Sequence, residues 1–398
     1  MILAATGGFA SAVAFCLSGC EGEGGGGEKE SVAEPEKTET VSDWPLFRGD
    51  PEMQGKSAEA LEPPLEMAWS FEPPVEEGRR RAPIDASPVV ANGQVFVGTQ
   101  EGVFHCLNLE TGEPVWSFEP EGPVSAPAAA RGGRVYFGDT YGFVYALDAA
   151  SGEEIWRFET DGKIEGGINT VGSGTEEGRI FVGSHDYFIY CLDADSGEVL
   201  WKHETGNYVV ATPSIIDSGG EQAVAFGGCD GLLYIIPTDG EGEKREIEIG
   251  SYIANTSAIR DGICYLAHNG GEIVAIEVDS GEVVWRVDTG VEYTASPAVD
   301  AQNVYVAGPD KRLVAFDRVR GEEKWVFLAR RSLDSSPVVS GGVVWQAGMD
   351  GRLYAVDLEA GSERWNYELG TQIKASPAVS RGTLVICGED GVVYGFAK

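Results

Sequence analysis

The sequence predicts an all-β fold: an eight-bladed β-propeller of four-stranded blades, its ring closed by an N-terminal strand around Trp69. Three observations predict it. A phrase of about forty residues recurs eight times from residue 82 onwards, and a period of that length marks one structural unit per copy. Its Ser-Pro corner falls at Pro88, Pro127, Pro213, Pro297, Pro337 and Pro377, with degenerate copies at Ile168 and Ser257. Trp116, Trp156, Trp201, Trp285, Trp325 and Trp365 keep the same beat, with Arg245 in the Trp place of the fourth unit. Each unit also holds short β-branched and aromatic runs split by Gly-bearing turns, and none shows a sustained rhythm of 3.6. Four strands at this period make a propeller blade. A solenoid would need helices or polar end caps, and neither is evident.

Taken in order, the chain opens with an apolar run from Ile2 to Leu17, too short to span a bilayer unaided. Leu17-Ser18-Gly19-Cys20 follows. Residues 20–43 are Gly- and Glu-rich, cannot bury a core, and read as a disordered acidic tether. Residues 44–398 form the propeller. The run Glu66 to Phe71 is a spare Trp strand ahead of the first full unit, whereas the last unit stops at Lys398 after its third strand and lacks one. Pairing the two completes the eighth blade and removes both open edges. Within each unit, Val135-Tyr136-Phe137 and Phe143 to Leu147 exemplify the second and third strands, and Ile155-Trp156-Arg157-Phe158 alternates as an outer strand should.

The motif Ala-x-Asp-x-x-x-Gly-x-x-x-Trp is intact at Ala146/Asp148/Gly152/Trp156, Ala315/Asp317/Gly321/Trp325 and Ala355/Asp357/Gly361/Trp365. It resembles the tryptophan-docking repeat of the pyrroloquinoline-quinone (PQQ) propeller superfamily. The segment Asp43-Trp44-Pro45-Leu46-Phe47-Arg48-Gly49-Asp50 is similar to the lead-in of many PQQ-like repeat proteins. In blade number, length and anchor the chain also resembles the propeller lipoproteins of the outer-membrane β-barrel assembly machine. The Leu17–Cys20 run resembles a bacterial lipobox, which implies a signal peptide over residues 1–19 and lipidation of Cys20, although no Lys or Arg precedes the apolar run. A lipid on a flexible tether would hold the domain at a membrane without inserting it.

PQQ-dependent dehydrogenases use this fold. That family carries a vicinal Cys-Cys pair beside the cofactor, a Glu, Asn and Asp around Ca²⁺, and a further Asp as base. This sequence has no adjacent cysteines, no long inter-blade insertions and no Cys-x-x-Cys-His, so we expect no catalysis and no cofactor. Five cysteines lie beyond Cys20: Cys106, Cys191, Cys229, Cys264 and Cys387. An odd set without Cys-x-x-Cys reads as small buried hydrophobes. His185 and His268 lie in turns of non-neighbouring blades, and His105 and His203 in strands, which makes a poor metal site. Asp-Gly pairs such as Asp350-Gly351 are turn chemistry.

The formal charge is −35, which repels phosphate backbones and excludes nucleic acid as a partner. Against that background one cluster of cations stands out. Arg79, Arg80 and Arg81 precede the first strand of blade 1, Arg330 and Arg331 that of blade 7, and Lys374 belongs to blade 8 between them. They converge on one sector as a candidate anionic-partner patch, or else pair with Asp85, Asp334 and local carboxylates. Three positions before the corner stand Asp85, Val124, Glu165, Val210, Ala254, Thr294, Asp334 and Lys374. Alternation aims these at the central channel and the preceding apolar residue at the core. The expected function is a non-catalytic envelope scaffold, lipid-anchored at the periplasmic or outer surface, that binds a protein partner. The alternatives are a quinoprotein dehydrogenase, or a polysaccharide-binding lectin using exposed aromatics such as Tyr187 and Tyr208.

Overall fold

The computed structural model describes residues 43–75, 78, 80–172, 178–218 and 221–398. The expected signal peptide, Cys20, nearly all of the tether, and Arg79 lie outside the described residues. Among the described residues there is no helix; eight four-stranded antiparallel sheets follow one another around a ring. Blades 1 to 7 take their four strands consecutively, from 89–118, 129–159, 169–204, 214–248, 258–288, 298–328 and 338–368.

Blade 8 is composite. Its inner three strands are Ala378–Ser380, Thr383–Cys387 and Val393–Ala397, and its outer strand is Glu66–Phe71. Glu66 pairs with Ala397 and Phe71 with Val393, antiparallel. The ring is therefore closed by hydrogen bonds between the two ends of the domain, as the missing Trp strand of the last unit requires.

The tryptophan motif explains how blades cohere. In six of the full blades the outer-strand Trp faces a small residue of the third strand: Ala146 opposite Trp156, Cys106 opposite Trp116, Cys191 opposite Trp201. A bulge at that point tips the indole out toward the next blade. There it covers a glycine of the next third-to-fourth turn. A Cβ on Gly152, which holds φ +76°, would lie 2.6 Å from the Trp116 ring. The indole N–H then donates to a carbonyl of the same turn, Trp116 to Ala149 O at 3.0 Å and Trp156 to Ala194 O at 3.1 Å. Asp148 shapes that turn by accepting from the Ser151 N–H at 2.8 Å. Trp69 repeats the whole arrangement across the closure, against Gly112 and Leu109 O at 2.8 Å.

Blade 4 divides the job. Arg245 Nη1 donates to Val278 O and Asp279 O at 2.5 and 2.6 Å, and Ile247 packs on Gly281. Its sheet has no bulge there, because no indole has to be tipped outward. Cys106, Cys191, Cys264 and Cys387 are buried as expected; Cys229 is not, being half-buried in a second-to-third turn.

Candidate functional site

In an up-and-down blade the second-to-third turns and the fourth-to-first linkers share one end of the ring. The other two turns share the opposite end. At that opposite end the lead-in segment forms a strap that the repeat pattern did not reveal. Each innermost strand would leave unpaired N–H groups facing the axis. The strap supplies their acceptors while passing the blades in sequence order. Val90 N–H donates to Trp44 O at 2.7 Å, Ala130 to Pro45 O at 2.8 Å, Ile215 to Pro51 O at 2.7 Å, and Ile259 to Glu52 O at 2.8 Å. Val299 to Gln54 O and Val339 to Gly55 O, both at 2.9 Å, continue the series. Glu59 finally accepts from the Arg381 and Gly382 N–H groups of blade 8.

The Trp-Pro-Leu-Phe-Arg-Gly-Asp run is built for this path. The Trp44 ring is buried and lies over Gly49, where a Cβ would be 2.7 Å away at φ +92°. Arg48 is wholly buried near the axis, and its Nη2 donates to Pro297 O at 3.3 Å and Pro337 O at 2.5 Å. Gly55 leaves room for that guanidinium. Burial pulls Arg48 down to about 9, offset in part by Asp50, so it stays charged at neutral pH.

Above the strap the channel is a well of about 200 Å³ with Phe47 on its wall. A belt of hydroxyls lines it, one from each of six blades, each accepting a backbone N–H from the blade before. Gly167 N–H reaches Thr212 Oγ1 at 2.9 Å, Thr212 reaches Thr256 at 3.0 Å, and Thr256 reaches Ser296 at 3.1 Å. Ser296 to Ser336, Ser336 to Ser376 and Ser376 to Ser87 continue at 3.0, 3.0 and 2.8 Å. The belt lapses where blades 2 and 3 carry Ala126 and Gly167 in that slot. The Ser of each corner is thus an inter-blade staple as well as a channel lining.

At the mouth, Asp85, Glu165, Val210, Ala254, Thr294, Asp334 and Lys374 line the well as the alternation predicts. Val124 does not, which corrects the expected register of blade 2. Its corner is one residue shorter, so Val124 takes the buried inter-blade slot. Val124 N–H donates to Thr99 O at 3.0 Å just as Ile164 N–H donates to Asp139 O at 3.0 Å in the next blade.

The cationic candidates divide. Lys374 lies 3.1 Å from Glu389 and 4.0 Å from Asp85; these carboxylates outweigh its partial burial and hold it above the ordinary lysine value. Arg81 pairs with Glu72 and lies against Gly391 of blade 8. Arg80, Arg330 and Arg331 are exposed, and among the described residues no carboxylate is within ion-pair distance of their side chains. Arg330 touches Asp350 only through its backbone N–H, at 3.3 Å.

The well does not suit the superfamily's quinone. PQQ is a rigid tricarboxylate, whereas these walls carry Asp85, Glu165 and Asp334, and the one lysine is already held by Glu389 and Asp85. A well of about 200 Å³ is also below the 300–1,000 Å³ usual for a ligand of that size. Among the described residues no group of three His, Cys, Asp or Glu is placed to hold a metal ion.

These features define a closed, strap-sealed propeller of tryptophan-docked PQQ-like repeats with a shallow, mixed-charge mouth. The chain belongs to the family described as outer membrane protein assembly factor BamB, whose model matches residues 59–142, 140–224, 244–334 and 328–398. No curated protein matches the sequence. Among solved structures, BamB from Moraxella catarrhalis is 20% identical with a TM-score of 0.69, covering 84% of this chain and 100% of that one. The quinohemoprotein alcohol dehydrogenase of Comamonas testosteroni is 17% identical at a TM-score of 0.73, covering 90% and 81%. A europium-containing methanol dehydrogenase is 14% identical at 0.74, covering 90% and 98%. At these identities the likeness is one of fold, shared by BamB and by dehydrogenases alike.

Proposed function

We propose that this protein is a non-catalytic scaffold of the bacterial envelope, tethered through a lipid on Cys20, that docks a protein partner on its channel-mouth face. The family match favours an assembly role at the outer membrane over dehydrogenase chemistry. The observation that carries the docking reading is the set of exposed arginines, Arg80, Arg330 and Arg331, in a chain of net charge −35. A charge left unpaired beside a mouth that pairs its other cations is placed for an acidic partner segment. Arg79 and Arg81 flank it in sequence, while Lys374 is already paired with Glu389.

The test is crosslinking in the native envelope with Arg80→Glu/Arg331→Glu. Capture should fall and become insensitive to salt between roughly 0.05 and 0.3 M, because exposed charges are screened over about 10 Å at 0.1 M. Arg320→Glu, at an exposed turn on the opposite end, is the control. Equal loss in the control would show a general charge effect and sink the reading. Cys20→Ser should release the domain from the membrane pellet; full retention would rule out the lipid anchor.

A further inference from the structure

The same face carries a second feature, on the sector away from the arginines. Every exposed tyrosine among the described residues is on it: Tyr141, Tyr187, Tyr208 and Tyr252, at 65, 42, 41 and 49% exposure. Tyr141 and Tyr187 occupy the second-to-third turns of blades 2 and 3. Tyr208 and Tyr252 occupy the same linker position ahead of blades 4 and 5, each just before a buried core residue, Val209 and Ile253. We infer that these rings form a platform for an uncharged glycan chain, with Tyr141, Tyr187 and Tyr208 stacking on sugar faces across successive blades.

Three observations support this. The rings are pre-organised. Tyr141 lies flat over the backbone of Gly122, where a Cβ would come 2.8 Å from its Cγ, so one face is fixed and the other is open. Tyr208 stacks on His185 at a centroid distance of 4.4 Å, with Tyr187 tilted beside it at 5.2 Å, and His185 is held by Glu165 at 2.8 Å.

Tyr187 is also held against its backbone preference. It has φ +77°, at the turn position where six of the other seven blades place a positive-φ glycine. That conformation is unfavourable for a bulky side chain. A glycine would serve the turn better, so the fold has no use for the ring that the strain would explain.

The surroundings, finally, favour sugar over protein. No exposed aliphatic side chain joins the tyrosines over blades 2 to 5 among the described residues; Ile155, Val199, Leu200, Val283 and Val284 lie on outer strands instead. A protein hot spot needs an apolar, desolvated surround. Here the rings alternate with the exposed Asp161, an acceptor for hydroxyl groups, and with Glu165, which is held by Lys163 and His185. The same carboxylates, and the charge of −35, turn away acidic polymers.

The full chain should bind at least one of three neutral probes in titration calorimetry: chitohexaose, cellohexaose or maltohexaose. Tyr141→Ala, Tyr208→Ala and Tyr187→Gly should each weaken that binding by roughly three- to tenfold, the scale of one aromatic stack. Tyr187→Gly relieves its strained backbone, so its melting temperature should hold or rise while binding falls. Arg80→Glu/Arg331→Glu should leave sugar binding unchanged, which separates this site from the arginine patch. Binding of none of the three probes, or equal binding by the tyrosine variants, overturns the proposal. So does loss of crosslinked protein partner in Tyr187→Gly/Tyr208→Ala without any sugar binding, which would mark the sector as a protein contact.

Discussion

Ring closure rests on Trp69, and its contribution can be worked from its contacts. The indole is 8% exposed, covers Gly112 and Gly395, and donates to Leu109 O at 2.8 Å. Trp69→Ala removes one large buried ring, which costs about 3–5 kcal/mol, and strips a carbonyl of its donor, about 1 kcal/mol more. A net loss of about 4 kcal/mol follows if the strand partly relaxes into the space. A domain of about 350 residues unfolds with an entropy of roughly 0.7 kcal/mol/K, so the melting temperature should drop by about 5–6 °C. Trp365 is the internal comparison. It is half-buried and packs edge-on against Trp345 at 5.8 Å, but blade 8 takes its outer strand from Glu66–Phe71 and so offers it no third-to-fourth turn glycine. Trp365→Ala should therefore cost about half as much, about 2 kcal/mol. Differential scanning calorimetry of both variants decides it. A Trp365→Ala shift equal to or above that of Trp69→Ala would refute the idea that turn docking, rather than ring area, sets the cost.

Three further outcomes are expected. Burial pushes the half-buried Asp50 carboxyl up to about 7, against the opposing pull of the Gln54 N–H and Arg48. Its folded value thus lies above its unfolded one, near 3.9, so its stabilisation is full below about pH 4 and lost as pH rises through 7. Asp50→Asn should gain on the parent between pH 5 and 8 by about 1–2 kcal/mol, discounted for exposure; parallel urea stability curves would contradict this. Gly152→Ala should destabilise by more than about 2 kcal/mol, since φ is +76° and the new Cβ meets the Trp116 ring, whereas Gly132→Ala, at φ +60° in open space, should cost about 1 kcal/mol. Equal costs would separate the turn from the indole. Of the five cysteines among the described residues, Cys229 should alkylate first in the native state because the other four are buried; comparable labelling of Cys264 or Cys387 would contradict that.

The repeat was legible because each blade uses the same few residues for the same local reasons. The Asp–Gly turn, the Ser-Pro corner and the docking Trp all act within one unit or across one interface, so their period survives in sequence. Even the closure could be read, since a missing Trp strand at one end matched a spare one at the other. The basic sector was readable only in part. Spacing places Arg81 and Lys374 at the mouth, but whether a cation is paired depends on how the chain folds back to bring Glu72 of the same linker and Glu389 of the next turn of blade 8 against it. Val124 shows the limit within a single blade, where one deleted residue moved a side chain from channel to core.

What the sequence determined by itself is the number of blades, their strand order and the surfaces that join them, because these follow from periodic contacts of short range. What only the tertiary structure decided is everything that depends on the axis and the two ends of the ring. The strap from Trp44 to Glu59 has no period; it meets blades 1, 2 and 4 to 7 through backbone groups that any sequence carries, blade 3 through the Asn169 amide and blade 8 through the Glu59 carboxylate. The buried Arg48 and the closing step of the hydroxyl belt, from Ser376 to Ser87, likewise arise where residues distant in sequence converge on one axis. Closure of the ring brings them together, and no local preference encodes that meeting.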